Sequence, residues 1–163
     1  MNKIILYVLF CLAVNPANGQ TNLPLLTARQ ADIPSFSIIK VPDSIKFEKT
    51  NLQKNKPVII MIFSPDCEHC QLRLQEIKAN IKLFKNIQIV MISNLGYNYI
   101  SRFYKEFNIS KYPGIVMGMD YRYVIGNFFT ISSVPAIFLY NKSGKFVKAF
   151  DRNVPIKKIV AAL

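Results

Sequence analysis

Residues 57–70 read Pro57-Val58-Ile59-Ile60-Met61-Ile62-Phe63-Ser64-Pro65-Asp66-Cys67-Glu68-His69-Cys70. Val58 to Phe63 is an unbroken apolar run rich in β-branched residues and bounded by Pro57 and Pro65, the pattern of a strand buried on both faces of a sheet. Directly after it Leu74, Ile77, Ile81 and Phe84 recur at helical spacing, while Arg73, Lys78, Lys82 and Lys85 take the other side. That spacing predicts an amphipathic helix from about Cys67 to Phe84. A central strand therefore runs straight into a helix whose first turn carries two cysteines.

Outward from this junction the same alternation continues. Ile87 to Ser93 reads as a second buried strand, and Ile100, Phe103 and Phe107 mark a second helix from about Tyr97 to Asn108. The β-α-β-α order implies a parallel core sheet with right-handed crossovers. Ile115 to Met117 is a short strand, and Tyr121 to Phe129 a weak helix or irregular connector. Ala136 to Tyr140 and Lys145 to Phe150 flank the turn-forming Asn141-Lys142-Ser143-Gly144, which predicts a closing antiparallel hairpin. A last helix runs from about Pro155 to Leu163, with Pro155 in its first turn. Upstream, Phe36 to Lys40 and Ser44 to Glu48 form a hairpin-like entry around Val41-Pro42-Asp43.

Two cysteines at the start of a helix have a chemical consequence. Unpaired backbone N–H groups and the positive end of the helix dipole stabilise an anion there, and the thiolate is the form that attacks a disulfide. The two-residue spacer brings Cys70 within reach of Cys67, so Cys67 is assigned as nucleophile and Cys70 as the thiol that resolves the mixed disulfide. His69 and Glu68 lie between them as tuning residues of opposite charge sense, with Asp66 just outside as a redox-tuning group or a plain N-cap. A zinc half-site needs two further ligands, and His69, inside the motif, is the only histidine, so no metal and no cofactor is expected. An inert structural disulfide closes too small a loop to constrain the unfolded chain much.

The chain has 163 residues with 21 Lys and Arg against 9 Asp and Glu. This cationic balance invites a nucleic-acid reading, but Lys40, Lys46, Lys49, Lys54 and Lys56 are scattered among acids and amides rather than clustered. A solvated basic surface is expected instead, with no nucleic-acid partner and with weak affinity for an anionic membrane surface left open. At the N-terminus, Lys3 precedes the apolar run Ile4 to Val14, and Ala17-Asn18-Gly19 supplies small residues before Gln20. This is the pattern of a signal peptide over residues 1–19, and the run is shorter than the ~20 residues of a permanent membrane helix. An extension over 20–34 and one domain over 35–163 follow. Cys11 falls within the discarded segment, leaving Cys67 and Cys70, an even count suited to an exported, periplasmic location; an uncleaved anchor is the competing reading.

Lys56-Pro57, the strand, Cys67-Glu68-His69-Cys70, then Val134-Pro135-Ala136-Ile137-Phe138-Leu139-Tyr140 and the Asn141 to Lys145 turn resemble the thioredoxin superfamily, specifically its TlpA/ResA-like exported branch, over Ile33 to Leu163. The resemblance implies an α/β, thioredoxin-like fold, a central mixed β-sheet flanked by helices, here with an N-terminal β-hairpin extension. It implies an exported thiol:disulfide oxidoreductase whose partners are substrate proteins with disulfides or thiols and a further redox partner. It also implies that Val134-Pro135 is a cis peptide facing the cysteines, leaving the Val134 backbone free for an extended substrate. Two departures stand out. Thioredoxins carry a buried acid where this chain has Met61, and ResA-like proteins carry a glutamate where it has Arg73; Glu76, one turn on, is the remaining candidate proton acceptor. A thioredoxin-like binding or chaperone module with little turnover is the alternative. Peroxide reduction is disfavoured because the cysteines lack a Thr-x-x-Cys context.

Overall fold

The computed structural model describes residues 31–163. The expected signal peptide, and all of the 20–34 extension before residue 31, lie outside the described residues. Seven strands are present: β1 (Ser37–Lys40), β2 (Lys46–Glu48), β3 (Val58–Ile62), β4 (Gln88–Ser93), β5 (Ile115–Met119), β6 (Ala136–Tyr140) and β7 (Phe146–Phe150). The helices are α1 (Glu68–Ala79), α2 (Tyr97–Glu106), α3 (Val124–Phe128) and α4 (Ile156–Val160).

The strands make one sheet in the order β2-β1-β5-β4-β3-β6-β7. β3, β4 and β5 are parallel, while β6 runs antiparallel to β3 and β1 antiparallel to β5. The sheet is therefore mixed, with β3 in its interior between β4 and β6 and every one of its residues buried. Because side chains alternate along a strand, the apolar run of β3 feeds two cores. Ile59, Met61 and Phe63 join Leu74, Ile77, Ile100, Phe103 and Ile159 from α1, α2 and α4. Val58, Ile60 and Ile62 join Phe36, Ile38, Ile125 and Phe129 on the opposite face, where α3 packs.

Several elements depart from their sequence signals. The helix begun by the cysteines ends at Ala79, and residues 81–84 form a separate 3-10 turn that still buries Phe84. Asn80 breaks it: its N–H donates to the carbonyls of Glu76 and Ile77, and its side-chain N–H to the Glu76 carbonyl at 2.9 Å. Apolar periodicity survives that break, which is why it reads as one helix. Arg73 is not on the solvent side of α1; it shares the buried face with Cys70, Leu74 and Ile77. β5 runs two residues beyond Met117 because Gly118 and Met119 pair with β1, a tertiary contact that local pattern does not carry. α3 is confined to the second half of the 121–129 connector, and α4 is shorter than expected at both ends.

The topology gathers loops at one edge of the sheet. The C-terminal ends of β3, β4 and β5 point the same way, β6 begins there with Ala136 opposite Ile62, and β7 ends there with Phe150 opposite Ile137. The turn between β6 and β7 lies at the other edge.

Candidate active site

The loop leaving β3 is folded back by its own backbone. Cys67 N–H donates to the Ser64 carbonyl at 3.1 Å, and the Gln71 side-chain amide donates to the Pro65 carbonyl at 2.9 Å. Cys67 is the N-cap residue of α1, its carbonyl accepting from the N–H groups of Cys70 at 2.9 Å and Gln71 at 3.1 Å. Asp66 is exposed and is not the cap. The Cys67 side chain makes no capping bond to the helix; instead its S–H donates to the Val134 carbonyl at 3.6 Å.

The two thiols are both free and differ in environment. Cys67 is partly exposed, whereas Cys70 is completely buried. Burial pushes the Cys70 thiol up to about 12, the neighbouring Cys67 adds to the rise, and a backbone hydrogen bond at Ser64 only partly opposes it. Asymmetry of this kind suits sequential attack: one sulfur is open to a partner, the other is kept neutral behind it. Glu68 and His69, between them, are exposed.

The Val134–Pro135 peptide is cis. Pro135 is buried, Val134 is partly exposed, and the next residue, Ala136, pairs with Ile62 at the end of β3. The structure thus brings Cys67 and Val134 together from 67 residues apart. Val41–Pro42 is also cis, a feature with no counterpart among the sequence expectations.

The proton-acceptor positions are occupied otherwise. Met61 is fully buried in apolar surroundings. Arg73 is 4% exposed, and its guanidinium donates to Glu76 at 2.7 Å and to the Arg152 carbonyl at 2.7 Å, tying α1 to the loop after β7. Glu76 is therefore engaged by Arg73, with its side chain 54% exposed, rather than turned toward Cys70. Asp120 was missed by sequence reasoning. It is buried at the end of β5 and accepts from the N–H groups of Val124 at 3.1 Å and Ile125 at 2.7 Å; an aspartate four residues ahead of a short apolar helix is the capping signal that could have exposed it. Among the described residues no group of three or more His, Cys, Asp or Glu could hold a metal.

No protein-family model matches the chain, and no curated protein matches it. Solved structures do. A secreted disulfide oxidoreductase of Mycobacterium tuberculosis, homologous to Escherichia coli DsbE, superposes with a TM-score of 0.62 at 18% identity, over 78% of this chain and 96% of that one. A thioredoxin-like protein from Aeropyrum pernix gives 0.62 at 16% identity over 79% and 89% of the two chains. StoA from Bacillus subtilis gives 0.57 at 14% identity over 79% and 96%. Identities this low speak to architecture alone, and on that ground the fold expected from the cysteine motif, the proline and the terminal hairpin is the fold present: the architecture is thioredoxin-like.

Proposed function

We propose that the chain is a thiol:disulfide oxidoreductase acting through Cys67 and Cys70. The observation that carries this reading is the pairing of a partly exposed Cys67 at the N-cap of α1 with a fully buried Cys70 one turn inward. In the reducing direction the Cys67 thiolate attacks one sulfur of a substrate disulfide, forming a Cys67–substrate bond and releasing one substrate thiolate. Cys70 then gives up its proton and attacks the Cys67 sulfur. The Cys67–Cys70 disulfide forms, the second substrate thiolate leaves, and two electrons have passed from the protein dithiol to the substrate. A dithiol redox partner restores the starting pair.

Within this reading the Val134 backbone, beside Pro135, receives an extended substrate strand next to Cys67, and Glu68 and His69 set the potential of the couple. The protein is placed outside the cytoplasm, with residues 1–19 as its export signal and 35–163 as the working domain. The secreted Mycobacterium protein of the same fold supports that placement, and no helix among the described residues is long and apolar enough to cross a membrane.

Insulin reduction and trapping of mixed disulfides test the chemistry together. Cys67→Ser abolishes exchange. Cys70→Ser keeps the attacking sulfur but not the resolving one, so covalent complexes with substrate accumulate and disperse on adding dithiothreitol. Equal trapping by both variants, or full activity in either, would replace this reading with that of a binding module.

A further inference from the structure

The turn that joins β3 to α1 leads into both cysteines and has few bonds of its own. Phe63 N–H still continues the β3–β4 ladder, donating to the Ile92 carbonyl at 3.0 Å. Between there and α1 the backbone makes one closing bond, from Cys67 N–H to the Ser64 carbonyl at 3.1 Å. No backbone N–H among the described residues reaches the Pro65 carbonyl, although Pro65 is buried and a buried carbonyl calls for a donor.

Gln71 supplies that donor. Its side-chain amide reaches back six residues to the Pro65 carbonyl at 2.9 Å, while its backbone N–H donates to the Cys67 carbonyl at 3.1 Å. Among the described residues no other side chain hydrogen-bonds the backbone of residues 63–66. The amide is neutral, so the turn is held without a formal charge being brought into the cysteine segment.

The place of this turn bears on the two thiols unequally. Cys67 is partly exposed, and a substrate comes to it. Cys70 is sealed in the core and has to lose its proton there before it can attack. Burial holds its thiol neutral, and the one influence set against that is a hydrogen bond from the backbone of Ser64. Ser64 thus meets both cysteines, Cys67 through its carbonyl and Cys70 through the bond that favours the thiolate. One residue further on, the Gln71 amide fixes where Ser64 stands. A turn free to drift would leave Cys67 open to substrate while taking from Cys70 the one group that helps it ionise.

We propose that Gln71 is a positioning residue for the resolving step: its amide holds the 64–66 turn against both cysteines, so that Cys70 attacks the Cys67 sulfur of the mixed disulfide. In that step the Cys67–Cys70 bond forms, the bond from Cys67 to substrate breaks, and the substrate sulfur leaves with the bonding pair. The proton lost by Cys70 balances the one taken up by the released thiolate. The role rests on the oxidoreductase reading above and adds to it a residue outside the cysteine pair.

The two steps are timed separately with glutathione disulfide as the substrate. Acid quenching followed by mass spectrometry follows the protein–glutathione adduct as it forms and as it gives way to the Cys67–Cys70 disulfide. Gln71→Met keeps the length of the side chain and a similar helix propensity but has no donor. Its adduct forms within about twofold of the native rate and decays at least about fivefold more slowly, the loss expected of one hydrogen bond. Gln71→Glu, of the same shape with an acceptor in place of the donor, shows the same split between the steps. Gln75→Met and Gln75→Glu make the same changes at an exposed position of α1 and leave both steps within about twofold of native. Adduct decay at the native rate in Gln71→Met and Gln71→Glu would overturn the proposal. Equal slowing of both steps would do so too, since it would reduce Gln71 to a part of the α1 scaffold. Absence of any adduct, in the native protein and in Cys70→Ser alike, would instead sink the oxidoreductase reading, whereas an adduct that forms and resolves regardless of Gln71 sinks the positioning role alone.

Discussion

Asp120 and Asn141 do the same work at opposite edges of the sheet. Each follows the end of a strand, and each gathers two backbone N–H groups on its side chain: Val124 and Ile125 for Asp120, Ser143 and Lys145, both at 3.0 Å, for Asn141. Their surroundings differ. The bond from Ile125 is buried, whereas both bonds to Asn141 are exposed, and the turn they close is completed by Gly144 at φ 74°. At the far edge water can replace a lost acceptor. At the cysteine edge it cannot, so a loop there is fixed with the stringency of a core.

The contrast is open to measurement. Asp120→Ala orphans two N–H donors, one of them fully buried, and removes a charge-assisted acceptor, so it should cost about 2–4 kcal/mol. Asn141→Ala should cost no more than about 1 kcal/mol, because its donors turn to solvent. Urea denaturation measures both, and equal losses would erase the distinction between the edges.

A second effect concerns pH and the sealed thiol. Cys70 has an ordinary value of 9.0 and is pushed up to about 12 in the fold. Between those values the folded chain keeps a proton that the unfolded chain has lost. Stability is therefore whole below pH 9 and falls as pH rises toward 12. Tyr140, whose phenol is also pushed up by burial, acts with the same sign, so the informative quantity is the difference from Cys70→Ala. Stability of that variant should decline less steeply across the window; parallel curves would show that Cys70 is not shielded.

The smallest effect is a gain. Tyr123 is held at φ 56°, in the left-handed region, so Tyr123→Gly removes that penalty, partly offset by the freedom glycine has when unfolded, and should stabilise the protein by about 0.5–1 kcal/mol. A loss of stability would mean that the ring packs rather than projects.

The features legible from sequence are those whose signal is local. The buried run of β3, the helix start at the cysteines and the Asn141 to Gly144 turn are each written in neighbouring residues. Arg73 misled because a charged side chain ordinarily marks the solvent face of a helix; its burial depends on Glu76 and on the carbonyl of Arg152, 79 residues away. The end of α1 was hidden because Ile81 and Phe84 keep the apolar rhythm after Asn80 has broken the hydrogen-bond ladder. Of the candidate site, the approach of Cys67 to Val134 beside a cis Pro135 was an expectation from the sequence, whereas the loop held by Asp120 was not, since what fixes it is burial.

The absence of an acid from β3 reaches into kinetics. Met61 stands in the core strand, and the only buried carboxylate among the described residues, Asp120, is occupied by two N–H groups. In the proposed exchange no buried carboxylate among the described residues is free to take the proton held by Cys70. With no such help from the core, release leans on the departing sulfur itself. Substrates whose departing thiol is acidic should leave quickly, and those with strongly basic thiols should linger as covalent adducts. The lifetime of the adduct, plotted against thiol acidity, would turn a dry strand in the core into a filter on what the proposed exchange lets go.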